Sequence, residues 1–210
     1  NLIDQAALDE RNGARLVITD NTPARLSEKI TSTLSTYHQK YPLRPGMPRE
    51  QLKSQLGVAS NVFDALIKRL AEAKSLFESG AKLNLVGHAV VFSNAQEKQV
   101  RDLMMQFEKQ PYTPPTRKAC LEMVDEPLLN ALLDTGQLVQ VNEDVLFTPE
   151  VYQAMRGAVI DHIKEQGQIT LAELRDKFDT SRKYAVAVLE HLDQTGITLR
   201  RGDLRVLRRP

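Results

Sequence analysis

Basic residues cluster at two separate points near the end of this 210-residue chain. Arg182 and Lys183 stand at the start of an apolar helical pattern, and Arg200, Arg201 and Arg205 follow in a short alternating pattern. Arginine and lysine bind phosphate oxygens, and arginine also contacts the edges of bases. Cations in this arrangement therefore indicate a surface that meets a polyanion.

The charge of this terminal segment differs from that of the rest of the chain. The whole chain has 28 basic and 27 acidic residues, which gives a formal net charge of +1. Residues 175–210 hold nine of the basic and five of the acidic residues, so that segment carries +4 and residues 1–174 carry −3. This asymmetry favours one polyanion-facing surface over general adhesion to nucleic acids.

No other set of residues forms a recognisable reactive site. Cys120 is the single cysteine, so we expect no internal disulfide, a reducing compartment and a buried apolar role for its thiol. The four histidines lack metal-ligand spacing, and we expect them at the surface or at the rim of the core. The chain has no GxxxxGKS or GxxxxGKT loop and no assignable pair of carboxylates. These features predict a chain that is not an enzyme and holds no metal.

The apolar residues form no segment suited to crossing a membrane. No apolar run approaches the roughly 18 residues of a spanning helix, and the first residues lack the pattern of a signal peptide. We therefore expect a cytoplasmic protein without a membrane partner. The start at Asn1 in place of methionine suggests either a fragment of a longer protein or a trimmed one.

A similar segment occurs three times, with Leu70, Leu132 and Leu192 in equivalent positions. In each copy, apolar residues at i, i+1 and i+4 predict a helix that buries one stripe. Gly136 and Gly196 follow two of these helices and are typical helix stops. Two short alternating runs then follow around a turn, as in "LVQV-NE-DVLF" and "TLRR-GD-LRVL", and predict a β-hairpin.

Further helices are predicted before each hairpin. Thr148 followed by Pro149 is a typical helix start, and Thr170 with Glu173 forms a capping box. Three helices followed by a two-stranded wing make a winged helix. We therefore predict a mainly α chain with small β wings, built as tandem winged-helix domains in an extended array. The predicted domains are residues 1–20, the remnant wing of an earlier repeat, and winged helices at 21–94, 95–148 and 149–210.

A winged helix contacts nucleic acid with the start of its third helix and with its wing. In the first repeat that helix start carries Asp64 and no basic residue, and in the second it carries Asp125 and Glu126. The last repeat alone has basic residues both at the start of the third helix and in the wing. Tyr184 lies off the predicted buried stripe and either stacks on an unpaired base or packs at the rim of the core. Asp203 is expected to form the wing turn first, and to accept a hydrogen bond from a base second.

The stretch "TSRKYAVAVLEHLDQTGITLRRGDLRVL", from residue 180, resembles the last winged-helix repeat of bacterial selenocysteine-specific elongation factors. That family has a serine-arginine-lysine-tyrosine helix start and an arginine-rich wing with glycine and aspartate. Residues 35–52, "STYHQKYPLRPGMPREQL", are similar to the family's second repeat. The resemblance covers nearly the whole chain and is weak between residues 98 and 145.

The resemblance implies a C-terminal part of a translation factor. Its last winged helix would bind the selenocysteine insertion hairpin of an mRNA, and the other units would act as a spacer. The ribosome and selenocysteyl-tRNA would be partners of the full-length protein, whose missing N-terminal part would bind GTP. This part of the chain would need no cofactor.

The same resemblance implies which residues contact RNA. Ser181, Arg182 and Lys183 would make the helix contacts, and Arg201, Gly202, Asp203 and Arg205 the wing contacts. Charge adds Arg200 to this set, and the possible stacking role adds Tyr184. Because the paired arginines stand later after the threonine than in the family, either Arg200 or Arg201 would be the one that contacts RNA.

Two other classes of function stay open. A DNA-binding regulator would carry basic recognition helices on more than one unit, or would form a dimer. A protein–protein scaffold would carry no anion site, a description that fits the first two repeats.

Overall fold

The structure, a computed structural model, describes residues 22–208. The predicted remnant wing at residues 1–20 lies outside the described residues. The chain divides into two compact units at the boundary between Val91 and Phe92. We call these the first unit and the second unit. Within the described part of the chain, no helix combines the length and the apolar character needed to cross a bilayer.

The first unit contains three helices and three short strands. Their order is α1 (Thr22–Lys40), β1 (Met47–Pro48), α2 (Arg49–Leu56), α3 (Ser60–Glu72), β2 (Leu76–Ser79) and β3 (Lys82–Leu85). The strands form an antiparallel sheet in the order β1-β3-β2. Buried residues of the three helices, among them Ile30, Leu52 and Phe63, pack against Leu76 and Leu83 of the sheet. This is the predicted winged helix.

The second unit contains two further repeats, which we call the middle repeat and the last repeat. The middle repeat comprises α4 (Asn94–Lys109), α5 (Arg117–Met123), α6 (Glu126–Asp134), β4 (Val139–Gln140) and β5 (Leu146–Phe147). The last repeat comprises α7 (Pro149–Gln166), β6 (Ile169–Thr170), α8 (Leu171–Phe178), α9 (Arg182–Gln194), β7 (Thr198–Arg201) and β8 (Leu204–Leu207). The predicted tandem of winged helices is therefore confirmed.

Each wing is joined by a short strand that the sequence pattern does not reveal. β1 and β6 pair with β3 and β8 directly before the second helix of their repeats. In the middle repeat a single bridge between Thr116 and Val145 takes this place. The periodicity of the sequence assigned β1 and β6 to the following helices, because two residues are too few to show a strand pattern.

The predicted helix starts are confirmed where the structure shows them. The Thr148 hydroxyl accepts a hydrogen bond from the Val151 amide at 3.4 Å. The Thr170 hydroxyl accepts from the Glu173 amide at 3.2 Å, and the Thr170 amide donates to the Glu173 carboxylate at 2.7 Å. Hydrogen bonds donated to the Glu173 carboxylate by the Thr170 amide, and then by the Thr170 hydroxyl, lower the pKa of Glu173. The capping box thus fixes the first turn of α8, which borders the site described below.

The third helix of every repeat ends in the same hydrogen-bonded turn. The carbonyls of Leu70, Leu132 and Leu192 accept from amides five residues later, at 2.9, 2.8 and 2.9 Å. This turn needs a left-handed residue, and Gly136 and Gly196 supply it with φ of 73° and 74°. In the first unit Lys74 occupies the same position at φ 53°, where a Cβ is unfavourable.

Cys120 and His38 are both buried, which agrees with the sequence prediction for Cys120 and differs from that for His38. Cys120 is buried as predicted, and burial raises the pKa of its thiol to about 11. The expectation for His38 was wrong, because its ring is 7% exposed and stacks on His88 at 3.6 Å between ring centroids. Burial, and then the neighbouring His88, lower the pKa of His38 to about 4. His38 is therefore a neutral part of the first unit's interior.

The middle and last repeats share one hydrophobic core. Val141, Val145 and Phe147 of the middle repeat belong to the same buried cluster as the core of α7 and α9. The Tyr184 hydroxyl in α9 donates to the Pro114 carbonyl at 2.6 Å. The Tyr112 ring lies 4.8 Å from that of Phe178, centroid to centroid. The structure therefore joins residues 92–208 into one compact unit, although the sequence patterns predicted a domain boundary between residues 148 and 149.

Replacing Lys74 with glycine should stabilise the first unit by about 0.5–1 kcal/mol. Glycine relieves the left-handed strain at this position, and its greater freedom in the unfolded chain offsets part of the gain. Hydrogen exchange of α3 amides measures the effect, with α9 amides as an internal reference. Lys74→Ala is the control and should stabilise nothing, since it keeps the Cβ.

Replacing Tyr184 with phenylalanine should destabilise the second unit by about 1–2 kcal/mol, because the buried Pro114 carbonyl loses its donor. The loss is measured as the decrease in the free energy of unfolding, from the protection of α9 amides against hydrogen exchange at increasing urea concentration. Tyr41→Phe in the first unit is the matched control, since the Tyr41 hydroxyl has no hydrogen bond among the described residues. Equal protection in the Tyr184 variant and the wild type would show that this bond does not hold the two repeats together.

Candidate nucleic-acid interface

An open cleft of about 510 Å³ lies on the last repeat between α8, α9 and the wing. The start of α8 forms one side, the outer face of α9 the second, and the wing strands the third. Its lining mixes apolar and charged side chains: Thr170, Leu171, Ala172, Arg175, Arg182, Val186, Leu189, Glu190, Arg200, Asp203 and Arg205. Of the cations that the sequence predicted, the cleft brings together Arg182 from the helix start and Arg200 and Arg205 from the wing.

Arg182 is the first residue of α9 and borders the cleft with an exposed side chain. Ser181 is the N-cap residue, and its side chain makes no capping hydrogen bond. The first backbone bond of this turn runs from the Ala185 amide to the Ser181 carbonyl at 3.1 Å. The preceding amides of the turn therefore have no helical acceptor and favour an anion, as helix starts do. Within residues 22–208, Arg182 has no carboxylate partner.

The wing contributes Arg200 and the turn residues Gly202 and Asp203. The Arg200 Nε donates to the Gly202 carbonyl at 3.0 Å, which holds the side chain along the wing. Gly202 has φ 62°, so glycine is needed at this turn position. Arg200 and Asp203 border the cleft, whereas the exposed Arg201 does not. Successive residues of a strand point to opposite faces, which accounts for the separation of the two arginines.

Arg205 differs from the free wing cation that the sequence predicted. It is 6% exposed, and its Nε donates to the Asp193 carboxylate at 3.2 Å. The Thr198 hydroxyl donates to the other oxygen of that carboxylate at 2.6 Å. Arg205 therefore borders the cleft from an internal ion pair at the base of the wing. The RNA contact that the resemblance implies for Arg205 stays a prediction, and in this structure its guanidinium is paired with Asp193.

Tyr184 and Lys183 both contact the middle repeat, and Tyr184 takes the second of its two expected roles, packing against the core. Tyr184 is 9% exposed and its hydroxyl is bonded to Pro114, so its ring does not stand free to stack on a base. The Lys183 ammonium forms an ion pair with Asp144 in the wing of the middle repeat. Both partners come from the middle repeat, whose packing on α9 the helical pattern of the last repeat cannot reveal.

The other two repeats fill the equivalent region with internal ion pairs. In the first unit Arg49, at the start of α2, pairs with Asp64 of α3 at 2.7 Å and with Glu78 of β2. In the middle repeat Arg117, at the start of α5, pairs with Glu126 of α6 at 3.3 Å. In the last repeat the positions equivalent to Arg49, Asp64 and Glu78 are held by Leu171, Val186 and Arg200. Its cleft is therefore left open and basic.

The cleft also contains residues that sequence reasoning missed. Arg175 borders it from α8 and pairs with Asp176 at 2.6 Å, and Glu190 borders it from α9. Glu190 lies two helical turns beyond Arg182, a spacing that places both on one face of a helix. This spacing was visible in the sequence, but the contribution of α8 depends on how the two helices pack. Among the described residues, no group of three potential ligands could hold a metal ion.

Comparison with family models gives two matches, one in each unit. Residues 31–85 match the model described as "Elongation factor SelB, winged helix" for a second winged-helix domain. Residues 161–207 match the corresponding model for a third such domain. The first range lies within the first unit and the second within the last repeat.

Curated relatives cover most of the chain. The chain is 29% identical over 185 residues to a selenocysteine-specific elongation factor of Desulfomicrobium baculatum, which is 84% of this chain and 29% of the relative. It is 27% identical over 192 residues to the protein of that name from Escherichia coli strain K12, which is 88% of this chain and 31% of the relative. The chain thus spans about three-tenths of the length of these relatives.

Two solved structures are similar to the chain. One is described as a bacterial selenocysteine-specific elongation factor EF-Sec, with a TM-score of 0.49 and 21% identity over 90% of this chain and 30% of that one. The other is described as the mRNA-binding domain of elongation factor SelB from E. coli in complex with SECIS RNA. Its TM-score is 0.46 and its identity 22%, over 56% of this chain and 100% of that one.

The two family models match the repeats that the structure shows as winged helices, and the curated relatives span these repeats and the segment between them. Residues 31–85 and 161–207 thus each match a SelB winged-helix domain, and the chain is similar over most of its length to selenocysteine-specific elongation factors.

Proposed function

We propose that this chain is the mRNA-binding part of a selenocysteine-specific elongation factor and binds the selenocysteine insertion hairpin through its last repeat. One observation carries the proposal. The last repeat joins Arg182 and Arg200 from two separate elements in one open cleft, whereas the other repeats pair the arginine of this region with acids. The matches to two SelB winged-helix models, and the similarity to selenocysteine-specific elongation factors, support an RNA hairpin as the ligand.

The shape of the cleft suits an irregular RNA better than a regular duplex. An A-form stem hides its base edges in a deep and narrow groove, so sequence is read at unpaired or bulged bases and at loops. A bulged nucleotide would enter between the helices and the wing, where the partly exposed Leu171 of α8 and Val186 of α9 offer apolar contact. Arg182, Arg200 and the free amides at the start of α9 would hold the adjoining phosphates. Ser181, Gly202 and Asp203 would complete the contact surface.

The remaining parts of the chain would position the RNA-binding cleft. The first unit would act as a spacer in the full-length factor, and the middle repeat would brace α9 through the shared core. Binding of the ribosome, of selenocysteyl-tRNA and of GTP would belong to the full-length protein in the cytoplasm. This part would act without a cofactor and without catalysis of its own.

A binding assay with matched nucleic acids tests the proposal. Short RNA stem-loops with one bulged base are compared with a regular RNA duplex and a DNA duplex of equal length, at two salt concentrations. We expect selective binding of stem-loops, with affinity falling by a slope of about 0.7–0.9 per phosphate contact in a plot of log affinity against log salt. A preference for duplex DNA would indicate a regulator, and binding of none would indicate a scaffold.

Replacing Arg182 with glutamine should weaken stem-loop binding by about 1–3 kcal/mol if its guanidinium contacts a base. Fluorescence anisotropy with the labelled stem-loop measures the change. Arg101→Gln is the control, because Arg101 is an exposed arginine on α4 of the same unit, and its one ion pair among residues 22–208 is with Glu97 at 3.6 Å. Equal losses of affinity in the two variants would show that Arg182 contributes only its positive charge and no specific contact.

A further inference from the structure

The two basic residues at the start of α9 have different surroundings. Arg182 borders the cleft, whereas Lys183, the next residue, does not. Neighbouring residues of a helix point about 100° apart, so the second side chain leaves α9 toward the middle repeat. There its ammonium forms an ion pair with the Asp144 carboxylate.

Asp144 is presented by a turn with a fixed backbone. The Asp144 amide donates to the Asn142 side-chain oxygen at 3.0 Å, and the Val145 amide donates to the same oxygen at 2.8 Å. The Asp144 carbonyl accepts from the Arg117 amide at 2.9 Å. The position of the Asp144 backbone is therefore set by the middle repeat and not by Lys183.

The start of α9 is held against this turn independently of the ion pair. The hydroxyl of Tyr184 is bonded to the Pro114 carbonyl, and its ring meets Phe147 edge-on at 6.1 Å between centroids. The hydroxyl of Thr180 is bonded to the Tyr112 carbonyl. These contacts keep Lys183 beside Asp144 whether or not the two charges attract each other.

The ion pair lies within reach of solvent and therefore of RNA. The Lys183 side chain is 45% exposed and the Asp144 side chain 48% exposed. Pairs with such exposure contribute little to stability, so the fold gives no strong reason for the carboxylate at this position. The start of a helix that carries a lysine is instead a place where an RNA phosphate would bind. The Asp144 carboxylate stands at that place with the same sign of charge.

We propose that Asp144 occupies a phosphate position beside Lys183 and is a specificity-determining residue of the RNA-binding surface. By holding this lysine, it removes one cation from sequence-independent contact with RNA backbones, and its own charge repels them. Selective binding of RNA then depends on the cleft, which Arg182 and Arg200 border. This inference rests on the proposed RNA-binding function and adds a residue from the middle repeat to it.

Replacing Asp144 with asparagine tests the inference, since asparagine keeps the shape and removes the charge. The probes are an oligo(U) 20-mer and a regular RNA duplex, neither of which has a bulge or a loop. We expect Asp144→Asn to bind both about three- to tenfold more tightly than wild type near 0.1 M salt. The salt slope should rise by about 0.7–0.9, the equivalent of one added phosphate contact.

Glu143→Gln is the matched control. Glu143 is the neighbouring acid in the same turn, is exposed and has no ion pair among the described residues. The Glu143→Gln substitution makes the same change in net charge as Asp144→Asn without releasing Lys183, so it should change oligo(U) affinity by less than about twofold. A second control combines Asp144→Asn with Lys183→Gln, and there the gain should fall to that of Glu143→Gln.

Three results would overturn the inference: equal gains for Asp144→Asn and Glu143→Gln, a gain that persists without Lys183, or no oligo(U) binding by Asp144→Asn at 0.05 M salt. Hydrogen exchange in α9 reports whether the variant keeps the wild-type packing, and loss of protection there would also contradict the independent anchoring of α9. The proposed function fails separately, if the wild type does not prefer bulged stem-loops to duplexes. A gain on oligo(U) would then still identify Asp144 as a restraint on the basic surface.

Discussion

The packing of α9 against the middle repeat is the constraint on which the basic surface depends. Tyr184 is buried between the two repeats, and its hydroxyl bond to Pro114 fixes the rotation of the helix about its axis. That rotation directs Arg182 to the cleft and Lys183 to the middle repeat. The wing forms the other side of the cleft because β8 pairs with both β6 and β7. The surface is therefore a property of the whole second unit.

The three repeats use one backbone plan with different charges. Each closes its third helix with the same turn, so the position of the hairpin relative to the helix is set by backbone hydrogen bonds. What differs is whether a cation finds an internal acid. Arg49, Arg117, Lys183 and Arg205 all have one, whereas Arg182 has none among the described residues. Pairing, more than the number of basic residues, thus distinguishes the repeats.

The sequence predicts what depends on near neighbours in the chain. The capping box of Thr170 and Glu173, the wing turn at Gly202 and the repeated helix stops follow from local spacing, and the structure confirms them. Partners from other elements could not be predicted. Arg205 reaches Asp193 across 12 residues, and Tyr184 reaches Pro114 across 70. A helical pattern identifies a residue's face but not the segment that covers it, so three of the expected contact residues, Lys183, Tyr184 and Arg205, proved to have partners within the protein.

The shared core of the middle and last repeats has a consequence for protein engineering. A winged helix is often treated as a cassette that can be cut out and fused elsewhere. Here a graft cut at Thr148 would leave behind Tyr112, Val141 and Phe147, and would expose the apolar side of α9 that they cover. The smallest portable unit that keeps this core intact is thus the pair of repeats that begins near Phe92.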